Sequence, residues 1–307
     1  MSKPRKTYRS VHVPVRGGEL AVGVWGEQDA PTVLAIHGLT ASHKAWEALA
    51  DAAPGLRIIA PDLRGRARSN GLPGPWGMNT HADDMAAVLD HFGVRPALVL
   101  GHSMGAFVST TLAMRHLDRV GGLVLIDGGI PVPIPDGVSA AEIPQALLGP
   151  AAERLSMTFA SREAYRDYWR RHPSLQEDWG PYIESYVDYD LQGAEPELRP
   201  SSVFEAVAED SLHLAGEAGY EDALVGLPMP ISFIRSPRGL LNQAPGLYSA
   251  STLRAWEDRM PNLTTHDIAD VNHYTIVMAR RGAEEVLAVV RDAQSRVAAE
   301  TGLRATR

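Results

Sequence analysis

The chain has 307 residues, 45% hydrophobic and 21% charged, which suits a soluble globular protein with one α/β domain and an insertion. Acidic residues outnumber basic ones by 37 to 29, a formal charge of −8, so nothing suggests a nucleic-acid partner, which would call for clustered Lys and Arg. There is no cysteine, which excludes disulfides, cysteine nucleophiles and thiolate metal sites.

The basic stretch Met1 to Ser10 has no apolar segment behind it, and no apolar run approaches a membrane span, so a cytoplasmic, soluble protein is expected. Residues Arg9 to Val15 and Glu19 to Trp25 alternate as strands do, and Arg16-Gly17-Gly18 between them reads as a hairpin turn. Thr32 to Ile36 is a short apolar run ending at His37-Gly38-Leu39-Thr40. Ser42 caps a helix pattern that reaches about Ala52, and Arg57 to Ala60 is the next strand. It leads into the polar loop Pro61-Asp62-Leu63-Arg64-Gly65-Arg66, whose charges are expected to pair with one another. Thr80 to Phe92 reads as a helix capped by Thr80, with Met85, Val88, Leu89 and Phe92 on one face.

Ala97-Leu98-Val99-Leu100 is a strand, Gly101-His102-Ser103-Met104-Gly105 a sharp turn, and Ala106 to Met114 a helix. A side chain at either outer glycine would collide with the neighbouring backbone, and the serine at the apex stands exposed above the sheet. Gly122 to Asp127 is another buried strand. From Gly128 to about Leu227 no buried strand is evident. Helical patterns fall around Ala151 to Phe159, Arg162 to His172, Leu175 to Leu191 and Ser202 to Leu214, with many large aromatic residues. Strand patterns return at Met229 to Ile234 and Leu263 to Ile268, and a helix from Gly282 to about Ala298 follows. Alternation of strand and helix implies a mostly parallel sheet covered on both faces.

Four motifs in order, His37-Gly38, Asp62-Leu63-Arg64-Gly65, Gly101-His102-Ser103-Met104-Gly105 and Asn272-His273-Tyr274, make the chain resemble an α/β-hydrolase over about residues 9 to 300. The resemblance implies an eight-stranded, mostly parallel sheet flanked by helices. Residues 1–127 and 228–307 would form the core domain, and 128–227 a helical cap inserted after the sixth strand. It also implies a catalytic order of serine, acid, histidine.

Ser103 is the expected nucleophile, a weak one that needs an adjacent base. His273 is the expected base among 11 histidines. His37 reads as a structural hydrogen-bonding residue, and the His102 side chain is expected to point away from the hydroxyl. Many relatives carry the acid after the seventh strand, but Arg235 to Gln243 holds no carboxylate. Another branch of the family, which includes haloalkane dehalogenases and some lactone hydrolases, carries it at the end of the sixth strand, where this chain has Asp127. Asp127 is the expected acid and Asp270 the fallback, because the histidine needs a carboxylate to fix its tautomer. The backbone amides of Leu39 and Met104 are the expected oxyanion donors. Trp169, Trp179 and Tyr186 are candidates to line the substrate pocket, although burying the cap is the plainer role for any one of them. His81-Ala82-Asp83-Asp84 sits at a helix start with nothing to complete a metal site, so no metal or cofactor is expected.

These expectations describe a serine hydrolase of carboxylic esters or lactones. Carbon–carbon bond hydrolysis or perhydrolysis on the same triad, and a slow-turnover ligand-binding protein, are the alternatives. The expected partner is a small-molecule ester or lactone, not nucleic acid or a membrane, and a homo-oligomer is left open.

Overall fold

A computed structural model describes residues 7–132, 153–214 and 216–305. The main sheet has eight strands: β1 (Tyr8–Val15), β2 (Gly18–Trp25), β3 (Thr32–Ile36), β4 (Arg57–Pro61), β5 (Ala97–His102), β6 (Val120–Ile126), β9 (Ile231–Arg235) and β10 (Leu263–Asp267). Their order is β1-β2-β4-β3-β5-β6-β9-β10. The opening hairpin pairs antiparallel, as does β2 with β4, and every later pairing is parallel. Strands β3 to β6 are buried almost end to end, which is why they read as continuous apolar runs.

Helices cover both faces. α2 (Met78–Phe92) and α3 (Met104–Arg115) bury Met85, Val88, Leu89, Phe107 and Leu112 in one apolar cluster. α1 (Glu47–Ala52) and α10 (Arg280–Ala305) contribute Leu49, Val286 and Val290 to a second. Between β6 and β9 lie α4 (Arg162–Arg170), α5 (Pro181–Asp190), α6 (Phe204–Ser211) and α7 (Tyr220–Val225). α8 (Ala250–Arg259) and α9 (Thr275–Met278) complete the order. No described helix is long and apolar enough to cross a membrane.

Several boundaries differ from the sequence reading. The helix expected from Leu175 begins at Pro181, because extended Gly180 interrupts it and proline suits the first helical position. α2 starts at Met78, not at a Thr80 cap; Asp210 of α6 accepts the amide of Gly77 at 2.6 Å, so the helix start is capped from across the fold. β9 starts after Pro230, which has no N–H to give the ladder. A two-residue ladder between β7 (Leu191–Gln192) and β8 (Arg199–Pro200) went unforeseen. Residues 153–156 are helical, and the rest of the pattern expected before them, from Ala151, lies outside the described residues.

The inserted segment is strapped to the sheet domain through polar contacts. Tyr182 donates to Asp51 at 2.6 Å, Ser185 to Glu47 at 2.7 Å and Tyr189 to Asp62 at 2.8 Å. The C-terminal ends of β3, β5, β6 and β10 thereby open towards this segment, the usual place for a site in an open parallel sheet.

Candidate active site

Ser103 stands between β5 and α3 at φ 56°, ψ −123°, a conformation unusual for a non-glycine residue. The surroundings enforce it. A Cβ at Gly101 would lie 2.4 Å from the Gly105 carbonyl oxygen, and one at Gly105 would lie 2.1 Å from the Ile36 carbonyl oxygen. Only glycine permits so close a turn.

Asp127 follows β6 at φ 48° and is 1% exposed. Its Oδ2 lies 2.7 Å from Nδ1 of His273. With Nδ1 donating to the carboxylate, Nε2 is the ring nitrogen left for chemistry. The same Oδ2 accepts the Ser236 hydroxyl at 2.7 Å, and Oδ1 accepts the Ser236 amide at 3.3 Å. Ser236 lies just after β9, in the stretch where the sequence lacks the more usual acid. Asp270 is exposed.

The loop that carries His273 is held from several sides. His102 Nε2 donates to the His273 carbonyl at 2.7 Å, and the His273 amide donates to Arg238 O at 3.1 Å. Asn272 Oδ1 accepts the amides of Tyr274 and Thr275, each at 3.0 Å, while its Nδ2 donates to Ser174 O at 2.9 Å. Burial holds the His102 ring well below the usual histidine range, so it is neutral. Sequence reasoning treated His102 as a bystander; its neighbour in the serine motif was visible, its hydrogen bond to a carbonyl 171 positions away was not.

On the facing side, His37 Nε2 accepts the Leu63 amide at 2.9 Å, so its Nδ1 donates to Gly38 O at 2.8 Å. Burial lowers the His37 pKa to about 4, which keeps this tautomer neutral. The loop then passes close to the serine turn: a Cβ at Gly38 would meet Ser103 Cβ at 3.1 Å. Among the described residues no backbone acceptor takes the amide of Leu39 or of Met104, the first residue of α3.

The charges of the Asp62 loop do not pair with one another. Asp62 meets His43 Nδ1 at 2.8 Å, Arg64 meets Asp84 at 2.9 Å, and Arg66 meets Asp210 at 2.5 Å. Each buried charge therefore finds its partner on a different element. Burial works upward on the Asp62 carboxyl, but His43 outweighs it and holds the group below the usual range. Arg66 also donates from Nε to Leu39 O at 2.9 Å, which holds the backbone on the carbonyl side of Leu39, a residue of the cavity wall. His81 belongs to this network, 2.9 Å from Asp210; among the described residues no cluster of acids and histidines could hold a metal ion.

One cavity of about 80 Å³ joins these groups, lined by Leu39, Ser103, Met104, Asp127, His273 and Tyr186 among others. Trp169 and Trp179 are not in its wall. Trp169 packs edge-on to Tyr165 and under the Arg154 guanidinium, and Trp179 lies beneath Arg170. Both indoles were claimed by neighbouring arginines, so Tyr186 is the one of the three aromatic candidates that reaches the cavity. A hydroxyl at a strained turn, an imidazole backed by a carboxylate and two unpaired amides can together perform nucleophilic acyl transfer.

The family model for the alpha/beta hydrolase fold matches residues 31–187, just over half of the chain. The lipase LipV of Mycobacterium tuberculosis is 37% identical over 130 residues, covering 42% of this chain and 48% of that one. The bifunctional esterase/perhydrolase DCH of Acinetobacter calcoaceticus is 36% identical over 122 residues, covering 37% and 44%. The chain thus matches less than half the length of either relative. The crystal structure of E-2-(acetamidomethylene)succinate hydrolase superposes with a TM-score of 0.77 at 22% identity, covering 93% of this chain and 100% of that one.

Proposed function

The chain belongs to the alpha/beta hydrolase fold family, and from that premise we propose that it is a serine hydrolase of carboxylic esters or lactones. The observation that carries the reading is the buried hydrogen bond between Asp127 and His273, at the wall of the cavity that Ser103 shares. Ser103 Oγ attacks the substrate carbonyl while His273 Nε2 takes its proton. Asp127 holds the tautomer and stabilises the imidazolium. The amides of Leu39 and Met104 receive the oxyanion, helped by the N-terminus of α3. His273 then protonates the leaving alcohol, and an acyl-Ser103 intermediate remains. Water, deprotonated by His273, attacks that ester; Ser103 regains its proton and the carboxylic acid departs. In this reading residues 128–227 act as a cap over the core domain of 1–127 and 228–307, and Tyr186 is the cap's contribution to substrate binding.

Perhydrolysis is the second reading, favoured by the name of the Acinetobacter relative. Hydrogen peroxide would replace water as the acceptor of the same acyl group. A single set of measurements covers both. With an activated ester, the wild-type protein should give a burst of alcohol, steady turnover and an acyl adduct on the Ser103 peptide. Ser103→Ala should remain folded and lose all three. Retained hydrolysis in that variant would sink the mechanism, and one turnover followed by arrest would point to a ligand-binding protein.

A further inference from the structure

We infer that the acyl group accepted by this cavity is uncharged and largely apolar, an inference that rests on the acyl-transfer reading above. The walls beside the serine turn are Leu39, Met104, Phe107, Leu214, Leu240 and Leu247. No Lys or Arg lines the cavity among the described residues. The chain between Val132 and the described start of the cap, residues 133–152, contains no Lys, Arg or His, so it has no cation to bring. Two buried arginines of the inserted segment and the Asp62 loop are committed to carboxylates: Arg154 to Asp190 at 2.6 Å and Arg66 to Asp210 at 2.5 Å. His102 is buried, neutral and donating to a carbonyl.

Apart from His102 and the His273 imidazole, the other uncharged polar side chains of the wall are hydroxyls. Burial raises the pKa of Tyr186, Tyr248 and Tyr274, so they stay protonated, and the Tyr248 hydroxyl donates to Ile130 O at 2.6 Å. The one fixed charge in the wall is the Asp127 carboxylate, which repels an anion. A cavity of about 80 Å³ is roughly half the ~150 Å³ of a dry cavity that takes benzene. A carboxylate entering it would leave its hydration behind and meet no counter-ion in the wall, a desolvation cost with nothing to offset it.

The test compares methyl butanoate, monomethyl succinate and dimethyl succinate in a pH-stat at pH 8, with Ser103→Ala as blank. Monomethyl succinate puts a carboxylate where methyl butanoate has a methyl group, and dimethyl succinate restores neutrality at larger size. The expected result is kcat/KM about 100-fold lower for monomethyl succinate than for methyl butanoate, with dimethyl succinate within tenfold of the butanoate. A monomethyl succinate rate within tenfold overturns the inference while leaving the serine mechanism standing. If no ester is cleaved and no acyl group is found on Ser103, the mechanism fails and takes the inference with it. Leu247→Arg, which sets a cation in the half-buried wall, should narrow the ratio by tenfold or more. An unchanged ratio overturns the assignment to a missing cation.

Discussion

Asp127→Asn, alone and combined with Ser236→Asp, is the sharpest probe of the acid. Asp127 Oδ2 is shared between His273 Nδ1 and the Ser236 hydroxyl, each 2.7 Å away. Asparagine keeps the shape but removes the charge that an imidazolium needs. Losing a hydrogen bond to a charged group accounts for about 1.5–3 kcal/mol, or roughly 10- to 150-fold at about 1.4 kcal/mol per decade. An amide NH₂ turned towards Nδ1 also imposes the wrong tautomer, and in the serine-protease template the combined loss is about 10⁴ in kcat. A fall of three to four decades is therefore expected. Ser236 lies no further from Nδ1 than about two hydrogen-bond lengths, because both meet the same oxygen. A carboxylate at 236 extends beyond the present hydroxyl and comes within reach of the ring. Ser236→Asp alone sets two buried carboxylates together, which raises the pKa of one and lowers activity. In the double variant that conflict disappears, and at least a tenfold recovery over Asp127→Asn is expected. The two changes should thus be strongly non-additive. Burst and steady-state kinetics with 4-nitrophenyl butanoate measure it, with thermal melts to exclude unfolding. A wild-type rate in Asp127→Asn, or strict additivity in the double variant, would refute the assignment of the acid to this pair of strand ends.

Two further outcomes concern the supports of the site. Arg66→Met should lower kcat with little change in KM, since it frees the Leu39 carbonyl, and should destabilise the fold by about 3 kcal/mol by breaking the buried pair with Asp210, which keeps His81 and the Gly77 amide. Adding Asp210→Asn should restore melting temperature but not kcat; restoration of both would assign the kcat loss to folding alone. Stability should also fall on acidification from about pH 6.5. The unfolded chain protonates its histidines near 6.5, whereas buried His37 resists until about 4, so the unfolded state binds more protons in that window. His37 alone implies a loss of about 3 kcal/mol between those values, and His102, also held low by burial, adds to it. Burial works upward on Asp210, but His81 and Arg66 set it at about 2, so its contribution is full above the usual carboxylate pKa and lost as pH falls through 2. Urea midpoints from pH 8 to pH 4 check this, and a flat profile between pH 7 and pH 4.5 would contradict it.

The serine turn was legible in the sequence because its requirement is steric and local: Gly101 and Gly105 are needed wherever a chain turns that tightly. Strand and helix periodicity likewise reported which faces are buried. It did not report what they are buried against. Trp169, Trp179 and Tyr186 all look alike in sequence as large residues on helical patterns; which of them meets the cavity depends on where Arg154 and Arg170 stand. Arg66 and Asp210 are 144 positions apart, and nothing local marks them as partners. The proposed acid, Asp127, combines both situations. β6 and β9 are parallel neighbours, with Ile126 opposite Ile234, so the chain leaves both strands at the same height. Asp127 directly follows one and Ser236 the other, and the Ser236 hydroxyl and the His273 ring meet the same Asp127 oxygen. The two positions open to an acid in this family are therefore adjacent seats at a single imidazole. A carboxylate missing from one of them carries little weight until the strand register shows that the other faces the same ring.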